Sequence, residues 1–322
     1  MAKKQTNDDT SQINTMNSIP KTYKNYINGE FPRTESGRYY SVEALDGKHI
    51  ANVGLSTRKD IRNAVQAARK AQASWANKTA YNRGQIIYRI AEILSGRREQ
   101  FTNEMVLLGY SKEAAELEIN ACIELIVYFA GWTDKIGQVF GSVNPVASDH
   151  FNFSRQEPVG VVGIISPETP SLLGMLGLLL PNMVAGNSQV IIASKQFPLP
   201  SCTFAEVLAT SDVPAGTVNI ITGLKSELIP PISKHMDVDV LVGDFSLDSE
   251  LRVMCELESA SNMKKVYFWE SFSSLEELNS SPNETISTCL HSLKDPYHIL
   301  HVQEVKTTWH PIENISSSNP TY

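Results

Sequence analysis

The sequence predicts an α/β protein with a doubly wound parallel sheet, because short apolar segments alternate with helical ones through its second half. Near-continuous β-branched runs lie at Val159–Ile165, Gln189–Ile192, Thr217–Ile221, Val238–Val242 and Lys265–Phe268. Stretches with helical periodicity separate them, at about 172–185, 199–210, 226–235 and 247–261. Strands that are apolar throughout are typical of a parallel sheet covered by helices on both faces. Right-handed crossovers then give a Rossmann-like core over residues 158–270.

The segment before this core predicts helices that pack on it. Residues 1–22 are polar, and we expect them to form a disordered tail. Tyr26–Glu30 is typical of a strand that enters a hairpin turn. Three amphipathic helices follow within residues 23–139. Their apolar faces carry Ile61, Val65 and Ala68 in the first, Ile86, Ile87, Ile90, Ile93 and Leu94 in the second, and Leu117, Ala121, Leu125 and Tyr128 in the third.

Composition limits the classes of function. The chain has 322 residues, of which 42% are hydrophobic and 20% charged, and its formal net charge is -7. Because nucleic acids and anionic membranes require a basic surface, we expect neither as a partner. The tail lacks the apolar core of a signal peptide, and Leu172–Ala185 is shorter than the roughly 20 apolar residues that span a bilayer. These features favour a cytoplasmic location.

The cysteines favour free thiols. Cys122, Cys202, Cys255 and Cys289 are scattered and form no CxxC pair, so buried thiols in a reducing compartment are expected rather than disulfides. Cys289 lies near His291, His298 and His301, but their spacing matches no standard zinc pattern. In a strand-like segment His298 and His301 would also face opposite sides. We therefore expect no metal site.

Six short stretches occur in a defined order along residues 23–269. They are Tyr26–Glu30, Tyr128–Trp132, Arg155–Gly163, Ala185–Asn187, Val213–Asn219 and His235–Asp239. In this order and at this spacing they resemble the aldehyde dehydrogenase superfamily. The resemblance implies a Rossmann core for NAD(P), a catalytic thiol with a general base, and a separate catalytic domain whose motifs we do not find in this sequence.

At the positions where this family binds the oxyanion and the ribose, this sequence has different residues. The family's Pro-Trp-Asn turn corresponds to Ser166–Thr169, so Thr169 replaces the oxyanion-binding Asn and offers only a hydroxyl. We interpret Glu168 as a first-turn carboxylate favoured by the helix dipole. The ribose-binding Lys and the polar residue after it correspond to Ile192 and Lys195. Ile192 has no donor for a ribose hydroxyl.

The phosphate turn and the catalytic groups differ as well. The turn corresponds to Gly243–Glu250 around Ser246, where a glycine is missing and acids adjoin the helix start. Carboxylates there repel a pyrophosphate, so we expect no cofactor, or NAD(P) bound weakly. Trp269 takes the place of the general-base Glu, and Glu270, one residue later, would point to the opposite face. Cys289 lacks the family's Gly-Gln-x-Cys context, so no catalytic residue is assigned.

The last part of the sequence resembles the family's assembly module. Residues 271–297 are rich in Ser, Glu, Asn and Pro, and we interpret them as a solvated linker with one short helix. Within residues 298–322, His301–Thr308 resembles the family's C-terminal strand, which pairs with a hairpin, here residues 140–157, in a small oligomerisation sheet. Without a catalytic domain, the Rossmann core would expose apolar surface. We expect this surface and the exposed strand edge of the small sheet to bind a partner chain.

The resemblance therefore implies a catalytically inactive subunit or scaffold. It would form a homo-oligomer, or a hetero-oligomer with a full-length aldehyde dehydrogenase. Two alternatives stay open: an NAD(P)-dependent aldehyde oxidoreductase with a rearranged site, and a decaying gene product. Tight cofactor binding would distinguish the first of these, since hydride transfer requires a bound and oriented nicotinamide.

Overall fold

The computed structural model describes residues 20–44, 46–244, 249–269 and 273–312. Most of the expected N-terminal tail, Ser246, Glu270 and residues 313–322 lie outside these ranges. The strands are β1 (Lys21–Tyr23), β2 (Tyr39–Glu43), β3 (His49–Gly54), β4 (Ser142–Asn144), β5 (His150–Pro158), β6 (Val161–Ile165), β7 (Ser188–Ile192), β8 (Val218–Ile221), β9 (Val240–Asp244), β10 (Lys265–Trp269) and β11 (Gln303–Pro311). The helices are α1 (Arg58–Ala76), α2 (Ala80–Gly96), α3 (Arg98–Leu107), α4 (Lys112–Ala130), α5 (Ile136–Val139), α6 (Ser171–Ala185), α7 (Pro198–Ala209), α8 (Lys225–Ser233), α9 (Ser249–Ala260), α10 (Leu275–Ser280), α11 (Pro282–Leu293) and α12 (Tyr297–His301).

The centre of the molecule is a five-stranded parallel sheet in the order β10-β9-β6-β7-β8. The chain winds outward from β6 to β8 and then returns to β9 on the other side of β6. Successive residues of β6 face opposite cores, since Val162 and Ile164 pack on one face and Val161 and Ile165 on the other. Both faces are covered, which explains why these strands are apolar throughout. The predicted doubly wound, Rossmann-like fold is confirmed.

Two helical layers enclose the sheet. Helices α6 and α7 cover one face and are themselves covered by α2, α3 and α4, whereas α1, α8 and α9 cover the other face. Every residue of α6 is buried, because this helix lies between the sheet and α4. That placement accounts for a helix without a polar face. Among the described helices, none is long and apolar enough to cross a membrane.

The N-terminal region differs from the prediction in two places. Helices α1, α2 and α4 coincide with the three predicted ones, but α3 was not expected because Phe101 and Met105 are its only large buried apolar side chains. Tyr26–Glu30 contains the expected hairpin turn, with Asn28 and Gly29 at φ of 55° and 78°, but it forms isolated bridges instead of a strand. Tyr26 is instead joined to Ile220 of the edge strand β8 by a single bridge.

The interpretation of residues 271–297 as a solvated linker was wrong for the described part of that segment. Helices α10, α11 and α12 pack against α4 and α6. They bury Leu278, Ile286, Cys289, Leu293 and Ile299 in the main hydrophobic core. Their apolar residues recur at helical spacing but are outnumbered by Ser, Glu and Asn, which obscures the pattern.

A glycine shapes this contact. A methyl group added to Gly177 of α6 would lie 2.5 Å from Cδ2 of Leu293 in α11. The leucine thus occupies the space above the glycine, and the two helices approach more closely than an alanine would permit.

A second, antiparallel sheet has the order β11-β5-β4. Nine residue pairs join β11 to β5, from Gln303 opposite Pro158 to Pro311 opposite His150. The pairing expected between the C-terminal strand and the hairpin is therefore present. The strand begins later than expected, however, because Tyr297–His301 forms the short helix α12, which includes His298 and His301.

Candidate functional site

The carboxyl edge of the parallel sheet brings together most of the positions singled out in the sequence. In open α/β sheets, ligands bind outside the carboxyl ends of the strands where the winding reverses. Here the winding reverses between β6 and β9, next to the turn of residues 166–170 that follows β6. The loops after β7 and β8 converge on the same turn through side-chain contacts to Glu168.

Glu168 connects these three loops. One carboxylate oxygen accepts hydrogen bonds from the Ser194 hydroxyl at 2.5 Å and the Gln196 amide at 3.0 Å. The other lies 2.7 Å from Nζ of Lys225, whose side chain is only 16% exposed. Burial opposes ionisation of Glu168, but the Lys225 ammonium and the two donors together hold its pKa below the ordinary value. The carboxylate is therefore an ion-paired tie between loops. Its contacts do not support the helix-dipole interpretation.

Thr169 does not present a free hydroxyl to the crevice. The side chain is buried, and its hydroxyl donates a hydrogen bond of 2.7 Å to the carbonyl of Ser273. This bond ties the turn after β6 to the chain that follows β10. A hydroxyl engaged in this way is not placed to stabilise an oxyanion.

The two positions after β7 have opposite environments. Ile192 is fully buried and belongs to the core between the sheet and helices α1 and α8. Lys195 lies on the surface. Neither residue reproduces the side chain that binds ribose in the family that the sequence resembles. The remaining position, Ser246, lies outside the described residues.

Trp269 ends β10 and is 7% exposed. Its indole stacks on the imidazole of His298, with ring centroids 4.0 Å apart and an interplanar angle of 21°. Two residues earlier, Tyr267 stacks on His301 at 4.7 Å and 10°. The two histidines therefore share one face of α12, contrary to the strand-based expectation that they point apart. Burial lowers the pKa of both imidazoles, so the stacked rings favour the neutral form.

The described residues hold no activated thiol. All four cysteines are free and buried, as the sequence predicted. Burial raises the pKa of Cys289 to about 12, and the neighbouring His291 is exposed. A buried, protonated thiol is a poor nucleophile. Within the described ranges, no group of three or more His, Cys, Asp and Glu side chains could hold a metal ion.

Two residues at this edge were missed by sequence reasoning. Lys225 was not considered, although it follows a parallel strand at the end where ligands bind.

Glu118 lies fully buried on α4, where one oxygen accepts hydrogen bonds from the amides of Leu172 and Leu173 at 2.8 and 3.0 Å. It caps α6 from outside that helix. Burial raises its pKa to about 7. The sequence signal that could have identified Glu118 is an acidic residue within the apolar face of a predicted helix.

The antiparallel sheet offers a second candidate site. Its outer strand β11 is exposed along most of its length, including Val305 and Trp309. Phe151 and Val143 on the adjoining strands are also exposed. An exposed edge with apolar side chains is a typical surface for pairing with another chain.

Comparison with known proteins identifies what this architecture is similar to. The model of the Aldehyde dehydrogenase family matches residues 31–268. Among curated proteins, Aldehyde dehydrogenase, cytosolic 1 of Elephantulus edwardii is 31% identical over 250 residues, which is 76% of this chain and 49% of the relative. Omega-crystallin of Enteroctopus dofleini is 30% identical over 252 residues, covering 76% and 50%. The chain thus spans about half the length of these relatives.

Solved structures give the same result. The NAD+ complex of the Bacillus cereus aldehyde dehydrogenase superposes with a TM-score of 0.73 at 29% identity, covering 78% of this chain and 51% of that one. PnpE in complex with nicotinamide adenine dinucleotide has a TM-score of 0.73 at 26% identity, covering 78% and 51%. Both similarities extend over the greater part of this chain.

Proposed function

Because this chain belongs to the aldehyde dehydrogenase family, we propose that it is a catalytically inactive member that serves as a subunit or scaffold. It assembles with itself or with a full-length aldehyde dehydrogenase through the β11-β5-β4 sheet. A cytoplasmic location is part of this proposal.

The observation that carries the proposal is the packing of Trp269. This residue takes the place of the family's general base, and its ring is covered by His298 of α12. A base must reach the proton that it abstracts, and an indole cannot accept one. Nucleophile and base act as a unit in covalent catalysis. Among the described residues, the cysteines are buried and none lies in the family's context.

Weak cofactor binding is the second part of the proposal. Solved relatives hold NAD+, so this chain could retain some affinity through its shared fold. Ile192, however, is a buried apolar side chain, and the Glu168 carboxylate is engaged by Lys225. Helix α9 carries an acid, Glu250, in its first turn. These features disfavour a pyrophosphate and a ribose at this edge.

The test combines assembly and cofactor binding in the full chain. The tagged protein is purified from its native cells and analysed by native mass spectrometry, and the pure protein is titrated with NAD+ and NADP+ by calorimetry. We expect a fixed-stoichiometry oligomer and a dissociation constant well above that of an active relative measured in parallel. A monomer would contradict the scaffold function. Tight NAD(P) binding with aldehyde-dependent NAD(P)H production would favour the rearranged enzyme instead.

A further inference from the structure

The guanidinium of Arg83, near the start of α2, is half-buried and has no ion-pair partner among the described carboxylates. Nη1 donates hydrogen bonds to the carbonyl of Lys78 at 2.6 Å and to that of Ala76 at 3.3 Å, which fixes the group at the junction of α1 and α2. Nε is buried and meets no acceptor in the part of the chain that the structure describes. The flat edge formed by Nε and Nη2 is therefore not used within that part.

An unpaired cation in this position is unfavourable for two reasons. Partial burial removes water from the guanidinium of Arg83 and lowers its pKa, and no described anion offsets that cost. The start of α2 also carries the positive end of the helix dipole, which disfavours a cation and favours an anion. An anion bound against the Nε–Nη2 edge would relieve both effects.

Arg83 lines a cavity of about 590 Å³ between the junction of α1 with α2 and the strand β5. This volume is within the range that protein sites use for small molecules. The wall of the cavity includes Pro158 and Ala185, which precede β6 and β7, so the cavity lies at the amino edge of the parallel sheet. That edge is opposite the one that carries the turn of residues 166–170.

Gln303 supplies an acceptor in the same wall. It is the first residue of β11 and is only 7% exposed. Its Oε1 is buried, and no described donor reaches it. A buried polar atom without a partner is uncommon in folded proteins and indicates a place for water or for a ligand. The cavity thus combines an unused pair of donors on Arg83 with an unused acceptor on Gln303.

We propose that this cavity binds a small carboxylate that carries a neighbouring hydroxyl, as a 2-hydroxy acid does. The carboxylate accepts two parallel hydrogen bonds from the Nε–Nη2 edge of Arg83, which is the fork geometry in which arginine binds carboxylates. The hydroxyl donates a hydrogen bond to Oε1 of Gln303. The site goes beyond the proposed scaffold function and does not depend on it.

The charges of the cavity wall favour a monoanion. Of the two arginines in the wall, Arg155 is ion-paired with Glu157, whereas Arg83 has no described carboxylate partner. Asp134, which is exposed, also lines the cavity. One unpaired cation balances one negative charge, but a phosphate dianion would place a second negative charge near these two acids. We therefore expect a carboxylate to bind in preference to inorganic phosphate.

Calorimetric titration of the full chain with sodium lactate tests the site. We expect saturable binding in the millimolar range. Inorganic phosphate should bind more weakly, and lactamide, which has a similar shape but no charge, should not bind. Because the ligand binds the folded protein, lactate should also raise the midpoint of thermal unfolding.

Arg83→Lys tests the fork. The variant keeps a positive charge and can still donate to the two carbonyls, but an ammonium lacks the flat pair of donors. We expect the lactate affinity to fall at least about tenfold. Arg89→Lys is the matched control, because this arginine also lies on α2 but is exposed, paired with Glu92 and outside the cavity wall. Its lactate affinity should stay within about twofold of the wild type.

Gln303→Met tests the second contact without a change in charge. Methionine is similar in length and has only a weak acceptor, so it removes the unpaired oxygen without leaving a hole. We expect the lactate affinity to fall by about fivefold, the equivalent of one hydrogen bond. The affinity for acetate, which lacks the hydroxyl, should not change. The pairing of β11 with β5 uses the backbone, so the fold should persist.

Loss of lactate affinity in both cavity variants but not in Arg89→Lys supports the site. Absence of lactate binding to the wild type would overturn it, as would unchanged affinity in Arg83→Lys or tighter binding of phosphate. An equal loss in Arg89→Lys would also overturn it, because binding would then follow surface charge in general. If Arg83→Lys does not fold, the lactate and acetate affinities of Gln303→Met decide. Assembly is measured separately by native mass spectrometry, so these results leave the scaffold function untouched.

Discussion

The indole of Trp269 and the imidazole of His298 lie face to face with centroids 4.0 Å apart, which joins the end of β10 to the short helix before β11. The contact packs α12 against the face of β10 that carries Tyr267 and Trp269. The residue at the position of the family's general base is thus packed against a residue of the segment that was expected to be a strand.

The first prediction concerns the pH dependence of this stack. Burial lowers the pKa of His298 in the folded protein, so the unfolded chain binds protons more readily between the folded pKa and the unfolded value near 6.5. Stability is therefore full above about pH 6.5 and falls as the pH drops below it. His298→Phe keeps an aromatic ring but removes the titration. We expect a smaller loss of unfolding free energy between pH 7.5 and 5.5 in this variant, measured by urea denaturation.

His301 retains part of the effect in that experiment, because its pKa is lowered for the same reason. The double variant His298→Phe with His301→Phe should therefore show a flatter pH dependence than either single variant. An unchanged dependence in the double variant would show that neither imidazole is buried in the native state.

The second prediction tests the packing of α11 on α6. Gly177→Ala should destabilise the protein by about 1–3 kcal/mol, because the new methyl group would meet Leu293 at 2.5 Å. In a Leu293→Ala background the space is vacant, and the same substitution should be neutral or stabilising by up to about 1 kcal/mol, since alanine is the better helix former. Chemical denaturation of the four proteins gives the coupling. If the effects of the two substitutions on the unfolding free energy are additive, Leu293 does not occupy the space above Gly177.

The third prediction concerns the ion pair between Glu168 and Lys225. Both side chains are largely buried, with 30% and 16% of their surface exposed, so removal of either one leaves a charge with poor solvation. We expect Glu168→Gln and Lys225→Met each to destabilise the protein, and the double-mutant cycle to yield a coupling of about 1–2 kcal/mol. A coupling near zero would mean that the loops are held by other contacts.

The same ion pair has a defined pH dependence. The pKa of Glu168 is depressed in the folded state, so its contribution is present above the unfolded value of about 4.3 and is lost as the pH falls through the folded pKa. Glu168→Gln should therefore lose less stability than the wild type when the pH is lowered below about 4.3.

The fourth prediction addresses thiol reactivity. Burial raises the pKa of Cys289 to about 12 and that of Cys122 well above its ordinary range. A disulfide reagent at pH 8 should therefore label the native protein only on the timescale of unfolding, whereas all four cysteines react in denaturant. Rapid labelling of one thiol in the native state would reveal an accessible nucleophile and would weaken the proposal of an inactive protein.

The sequence was most informative where one physical cause determines the residue types. The strands of the parallel sheet are buried on both faces, so runs such as Val190–Ile192 are apolar at every position and their limits were predicted within a few residues. The nine-residue pairing of β11 with β5 was expected only through the family resemblance, since an isolated strand does not specify its partner.

Tertiary context accounts for what was missed. Helix α11 buries Ile286, Cys289 and Leu293, but its remaining residues are polar enough to suggest a linker. The role of Glu168 depends on Lys225, which follows a different strand, and local pattern does not predict a contact between two distant loops. Glu118 likewise caps a helix that begins far along the chain.

The anchoring of β11 along one edge and at its N-terminal end has a thermodynamic consequence for association. One side of the strand is paired to β5 along its whole length, and its start follows α12, whose His298 and His301 are stacked on β10. The edge is therefore already ordered in the protomer, so binding need not freeze a flexible segment. The proposed partner would meet a rigid template, and more of the contact free energy would remain as affinity than for a strand that folds upon binding.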